Sequence, residues 1–156
     1  MEWTDVWATQ GVDVTAKKTV RRCLRYAPLV DRWNPDFQLD PALVFAVMAQ
    51  ESACLTNNDD GVSVGLMAVT PATWTTSRDR LKDPAVNIFW GMKILWLTLN
   101  NEEHNPDHDI RTALAAYNCG WVSLEAGKCF DFGGYAYADK VLHFWLPYVQ
   151  GALVKP

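Results

Sequence analysis

The run DPALVFAVMAQES, from Asp40 to Ser52, decides how this chain is read. Aspartate followed by proline is an N-cap and a first helical residue, because the carboxylate accepts an orphan N–H and proline has no N–H to lose. A helix is therefore predicted from Pro41 to about Cys54. Val44, Val47, Met48 and Glu51 recur at three- and four-residue steps and share one face of it. Glu51 thus falls on a stripe that is otherwise apolar. Burial there disfavours the carboxylate and raises its pKa, and a carboxyl group still protonated near neutrality is what a general acid requires. A glutamate at a helix end, solvated or paired to an arginine, is the competing reading of this position.

Outward from this run, cap and turn signals divide the chain into helices. Residues 15 to 27 form an amphipathic segment that Pro28 stops or kinks, with Leu29, Val30 and Trp33 carrying the apolar face onward. The stretch TNNDDGVSVG after the Glu51 helix is a loop or an irregular hairpin by its Asn, Asp and Gly content. Thr70 and Pro71 are read as opening a short helix. Asp83 and Pro84 open one that reaches about Asn100 and is apolar nearly all round, the mark of a central buried helix. Asp109 caps a helix through Tyr117 that Gly120 ends. Residues 120 to 134, with four glycines, read as a long loop, and a last helix covers about Ala136 to Leu146. The expected fold is all-α, with at most a minor β contribution: one domain over residues 1–156, with residues 1–14 as an N-terminal extension.

Composition narrows the function. The chain has 156 residues, 49% of them hydrophobic, and eight tryptophans, enough for one sizeable core with two or three Trp left to line a cleft. A net charge of −4 argues against nucleic acid as partner, since phosphate binding needs a basic surface. The basic run Lys17, Lys18, Arg21, Arg22 and Arg25 is a solvated helix face. No segment is long and apolar enough to cross a bilayer. The start, MEWTDVWATQ, lacks the apolar stretch of a signal peptide. Cys23, Cys54, Cys119 and Cys129 have no metal-ligand spacing; Cys119 and Cys129 bracket the glycine-rich loop and either bridge in an oxidising compartment or stay free. His104 and His108, four apart among acids, suggest a metal less well than a solvated loop.

Four patches occur in a fixed order: Glu51-Ser52, then Gly65-Leu66-Met67, then AYNCG with Tyr117 and Asn118, then YADKVL from Tyr137. This order resembles the soluble lytic transglycosylases, lysozyme-like enzymes that cleave peptidoglycan glycan strands, over about residues 28 to 146. DPAVNIFWG, with Asn87 and Gly91, is similar to the family's central-helix segment. The resemblance implies a lysozyme-like domain with a substrate cleft and Glu51 as catalytic acid/base. It implies contact with the sugar from Ser52, Ser63, Gly65, Leu66, Met67, Tyr117 and Asn118, although for Met67 a place in the core is the preferred reading. It implies that Tyr137 holds the Glu51 carboxyl group, with Tyr135 a neighbouring competitor. One residue departs from the pattern: Ala68 stands where the family has Gln, which removes a side-chain hydrogen bond to the sugar.

The implied reaction breaks the β-1,4 bond after N-acetylmuramic acid and closes a 1,6-anhydro ring, with no metal or cofactor and a monomer acting on glycan strands. Asp59 and Asp60 are the only nearby acids that could position water, so a hydrolytic muramidase is the nearest rival. A silent wall-binding component of a phage or secretion apparatus is the rival of a different class. Without a visible export signal, such an enzyme would reach the wall through a holin, a virion or secretion machinery. The loop NDDGVSVGLM is also closer to phage-type members than to the S-x-x-G-A-x-G form.

Overall fold

The computed structural model describes residues 12–153, and over that span the chain is all-α, with only isolated β-bridges. Residues 1–11, most of the expected N-terminal extension and the segment on which the absence of a signal peptide was read, lie outside the described residues. The helices in chain order are α1 (Val12–Leu24), α2 (Ala27–Phe37), α3 (Pro41–Ser52), α4 (Arg78–Leu81), α5 (Pro84–Leu99), α6 (Ile110–Cys119), α7 (Trp121–Glu125) and α8 (Tyr135–Lys140). A π-helical turn, Val141–Trp145, joins α8 to α9 (Leu146–Leu153).

α3 is the centre. Asp40 accepts the Ala42 N–H at 3.0 Å, Pro41 fills the first helical position, and every residue from Ala42 to Ala49 is buried. Sharing a face with Val44, Val47 and Met48 therefore does not distinguish Glu51, because Leu43, Phe45 and Ala46 on the other faces are buried too. Glu51 is set apart by standing on the last turn, where the helix leaves the core and Gln50 and Glu51 become half-buried. α1, the π turn and α9 pack around α3, while α5 bridges α2 and α6.

α5, expected to be the central helix, buries a single face through Asn87, Ile88, Gly91, Met92, Leu95 and Thr98, and leaves Trp96 and Leu97 exposed. Its outer apolar residues have other partners: Phe89 packs edge-on against Trp33 and Trp90, and the Lys93 ammonium lies 5.0 Å from the Trp90 ring centre. An apolar perimeter thus came from surface aromatic packing as well as from burial.

Several boundaries differ from expectation for local reasons. Pro28 opens α2 instead of stopping a helix, and Pro35 sits inside it. Thr70-Pro71 starts no helix, because Thr75 Oγ1 accepts the Ala72 N–H at 2.9 Å and holds the segment in turns. The short helix begins later, capped by Ser77. The 120–134 segment contains α7 between its glycines. The last helix continues past Leu146 to Leu153 through the π turn, in which the Leu146 N–H reaches back to Val141 O.

All four cysteines are paired, Cys23 with Cys54 and Cys119 with Cys129. The second pair settles the alternative left open by the sequence. The first ties α1 to the residue two beyond α3. There the chain turns out of the helix through two successive left-handed residues, Ala53 (φ 52°) and Cys54 (φ 57°). Such conformations disfavour non-glycine residues. The disulfide, and Arg22 Nε donating to Ala53 O at 2.8 Å, hold them in place.

Candidate active site

The Glu51 carboxyl group meets the C-terminal helices through one bond: Tyr137 Oη donates to Glu51 Oε1 at 2.7 Å. Tyr135, the other candidate, is exposed and has the Arg111 guanidinium 4.4 Å from its ring centre. The π turn allows α8 and its continuation to grip α3 twice. In a regular α-helix eight residues leave a side chain about 80° out of line, and a wider π turn takes up most of that angle. Trp145, eight residues after Tyr137, accordingly reaches the neighbouring Gln50, donating Nε1 to Oε1 at 2.9 Å.

Burial raises the Glu51 pKa from 4.5 to about 7; the Tyr137 hydrogen bond lowers it and the Asp60 charge raises it, both by less. The carboxyl group is therefore substantially protonated at neutral pH. Tyr137 and Tyr117 are both pushed well above the usual phenol range, first by burial and then by the Glu51 charge, so both remain O–H donors.

The loop after α3 is fixed by its own polar groups. Ser52, expected to contact substrate, turns inward: Oγ lies 2.7 Å from Leu66 O and 3.1 Å from Met48 O and accepts the Cys54 N–H at 3.0 Å. It pins the loop to the helix end. Asn87 on α5 does the same from below. Its Oδ1 accepts the Met67 N–H at 2.9 Å, and its Nδ2 donates to Val64 O at 2.7 Å and Leu81 O at 2.9 Å.

Gly65 (φ +82°) is required to be glycine by this anchor. A Cβ there would lie 2.2 Å from Asn87 Nδ2. Leu66 and Met67 are fully buried, and Met67 occupies the space where a Cβ on Gly91 would stand, 2.3 Å from its sulfur. Their side chains are core, not sugar contacts. Ser63 is half-buried in the loop, and its N–H donates to Asp60 Oδ1 at 2.6 Å.

Tyr117 links this loop to the rest of the cleft: its Oη donates to Met67 O at 2.6 Å. It also lines a groove of about 670 Å³ with Asn118, Ala68, Trp74 and Trp121. Asn118 is exposed, and its Oδ1 accepts the Gly134 N–H at 2.9 Å. Trp74, Trp121, Asn100 and Asn101, all groove-lining, were not singled out from sequence; the surplus of tryptophans was the available signal, but nothing in it told which ones faced outward. His104 Nδ1 contacts the Glu125 carboxylate and its ring stacks on Trp121. The His108 ring bonds Leu99 O.

The two other acids near Glu51 are held as carboxylates. Asp59 pairs with Arg78 and accepts the Gly61 N–H, and Asp60 accepts the Val62 and Ser63 N–H groups; these bonds put both below the usual carboxylate range.

A family model described as the Transglycosylase SLT domain matches residues 28–127, a span that holds Glu51, the 53–69 loop, Tyr117 and Asn118 but ends before Tyr137.

Proposed function

The chain belongs to the transglycosylase SLT family, whose members are lytic transglycosylases acting on peptidoglycan outside the cytoplasm, and from that premise we propose that Glu51 is its sole general acid and base. The observation that carries this reading is a carboxyl group with a pKa of about 7, bonded on one oxygen by Tyr137. Oε1 is occupied, so Oε2 is the oxygen that serves the substrate.

The bond broken is the β-1,4 link between N-acetylmuramic acid and N-acetylglucosamine. Glu51 donates its proton to the bridging oxygen as that oxygen leaves C1. The muramic acid's own N-acetyl oxygen stabilises the cation at C1, which removes the need for a second catalytic carboxylate. Glu51, now ionised, takes the proton from the C6 hydroxyl while O6 bonds to C1. The product is a 1,6-anhydro end, the acid is regenerated, and no water is consumed.

Asp59 and Asp60 fit this division of labour, since Arg78 and backbone N–H groups hold each of them by Oδ1 within its own loop. Asp60 acts on Glu51 at a distance, its charge favouring the protonated form. Tyr117 and Asn118 line the glycan path, and we propose that the domain acts on it as a monomer. Two disulfides suit an oxidising, extracytoplasmic setting.

Mass spectrometry of a muropeptide digest tests the proposal, with Glu51→Gln as control. Anhydro-muramic ends made by wild type alone support it. Reducing ends made by wild type would transfer the role of second group to Asp60 and make the enzyme a hydrolase. Equal digestion by both proteins would remove Glu51 from the chemistry.

A further inference from the structure

The groove beside Tyr117 has an uncommon charge pattern for a site that handles an anionic polymer. None of the residues lining it is Asp, Glu, Lys or Arg. Its volume, about 670 Å³, lies in the range of small-molecule sites. What it offers is flat and neutral. Trp74 is 59% exposed. Trp121 stacks one face on His104, with ring centres 5.1 Å apart and planes 20° from parallel, and His104 is itself held by Glu125. The amides divide their atoms between protein and groove. Asn101 Oδ1 accepts the Glu103 and His104 N–H groups, and Asn118 Oδ1 that of Gly134, which leaves each Nδ2 without a partner among the described residues. Asn100 spends Nδ2 on Trp96 O and keeps Oδ1. Neutral donors, an acceptor and indole faces match the acetamido groups and apolar faces of an aminosugar chain.

The flanking segments are the opposite of neutral. Residues 100–109 carry Glu102, Glu103, Asp107 and Asp109 with no Lys or Arg, and residues 120–134 carry Glu125 and Asp131 against Lys128. Arg78, on the Glu51 side, is already paired with Asp59. His104 lies against Glu103 and Glu125, and His108 against Glu102. Peptide stems on peptidoglycan carry several carboxylates, and the banks meet them with six acids against Lys128 and these two histidines.

Resting on the reading of this cleft as a glycan site, we infer that the enzyme is selective for stem-free glycan: it reads the sugar backbone, and the acidic banks repel strands that still carry peptide stems. Repulsion of this kind acts across solvent and is screened within about 10 Å at 0.1 M salt.

The test compares cleavage of one glycan preparation before and after its stems are removed by an amidase. At low salt the stripped strands are cut severalfold faster, and the ratio falls toward one as salt is added. Glu102→Gln/Glu103→Gln, on exposed residues away from Glu51, narrows the low-salt ratio and leaves the rate on stripped strands unchanged. Faster cutting of stem-bearing strands, or a ratio indifferent to both salt and the double variant, would overturn the inference.

A second arm separates it from the chemistry. Calorimetry on the Glu51→Gln protein with a neutral N-acetylglucosamine tetramer measures the groove alone, and Trp121→Ala weakens that binding about fivefold. Binding that Trp121→Ala leaves untouched counts against the groove, whereas binding intact with no cleavage by wild type counts against Glu51.

Discussion

Cys23–Cys54 lies behind the Glu51 helix with both cysteines fully buried. Cys119–Cys129 is half-buried and closes a segment that holds Val122 at 86% exposure and runs into Phe130 and Phe132, 91% and 92% exposed. Around the first bridge three polar side chains tie the loop to its neighbours: Ser52 on Leu66 and Cys54, Arg22 on Ala53, Asn87 on Met67, Val64 and Leu81. The second bridge closes a segment held mainly by its own backbone turns, with Asn118 to Gly134 and His104 against Glu125 and Trp121 as its side-chain ties. The helix end that carries the acid is thus tied by side chains from several elements, while the groove bank is held mostly by its own turns. That difference fits the tasks: acid catalysis needs the proton held in place, whereas a polymer groove tolerates adjustment.

The sharpest test of the rigid side removes the acid. Glu51→Gln keeps shape and loses the proton, so peptidoglycan cleavage falls by about 10²–10⁴-fold, the usual contribution of a positioned general acid. Binding of a sugar oligomer is retained. In wild type, kcat/KM declines as pH rises through about 7, because the free enzyme must hold its proton. Activity that is flat from pH 5 to 9 would break the assignment.

Next in size are the bridges themselves. By loop-closure entropy, a 31-residue separation is worth about 4 kcal/mol and a 10-residue one about 3 kcal/mol. Replacing Cys23 and Cys54 with Ala lowers Tm by more than replacing Cys119 and Cys129. It also lowers activity in the molecules still folded, since Ala53 and Cys54 lose their restraint. The second pair of substitutions affects glycan affinity more than turnover. Equal losses in both quantities would erase the contrast between the two regions.

Glu51 also costs stability when it ionises. Its folded pKa, about 7, exceeds the unfolded value of 4.5, so the stabilisation is complete below 4.5 and is lost as pH rises through 7. Glu51→Gln never charges. Its Tm relative to wild type therefore climbs between those two pH values and levels off above them. The gain is up to about 3 kcal/mol, less where water on the cleft side screens the carboxylate. A Tm difference independent of pH would mean that the carboxyl group is solvated.

These contrasts show how far the sequence could be read. The capped starts of α3, α5 and α6 were legible because Asp40, Asp83 and Asp109 act on their own next residues, and local chemistry needs no tertiary information. The pairing of Glu51 with Tyr137 came only through the family pattern, as residues 86 apart carry no local signal. Ser52 and Gly65 came from motif logic, which assigns such residues to substrate. The contacts the structure gives them are internal and lie far along the chain, Ser52 Oγ on Leu66 O and Gly65 against Asn87. The π turn was invisible, because its one-residue widening follows from how α8 and α9 both fit against α3, not from VLHFW itself.

The smallest expected effect is the most diagnostic. Tyr137→Phe deletes one hydroxyl and leaves the ring, so the protein folds and the packing over Glu51 stays. A net hydrogen bond is worth about 1 kcal/mol, which corresponds to roughly a fivefold loss of rate. Its direction on the pH profile is fixed by sign. Tyr137 donates to Glu51 and favours the carboxylate, holding the pKa below where burial alone would put it. Without that donor the acid keeps its proton longer, and the alkaline limb of kcat/KM moves to higher pH even as the maximum falls. A merely structural tyrosine would lower the plateau and leave the limb in place. A limb moving to lower pH would mean that the hydroxyl had stabilised the protonated acid, reversing the electrostatic account of the rigid side.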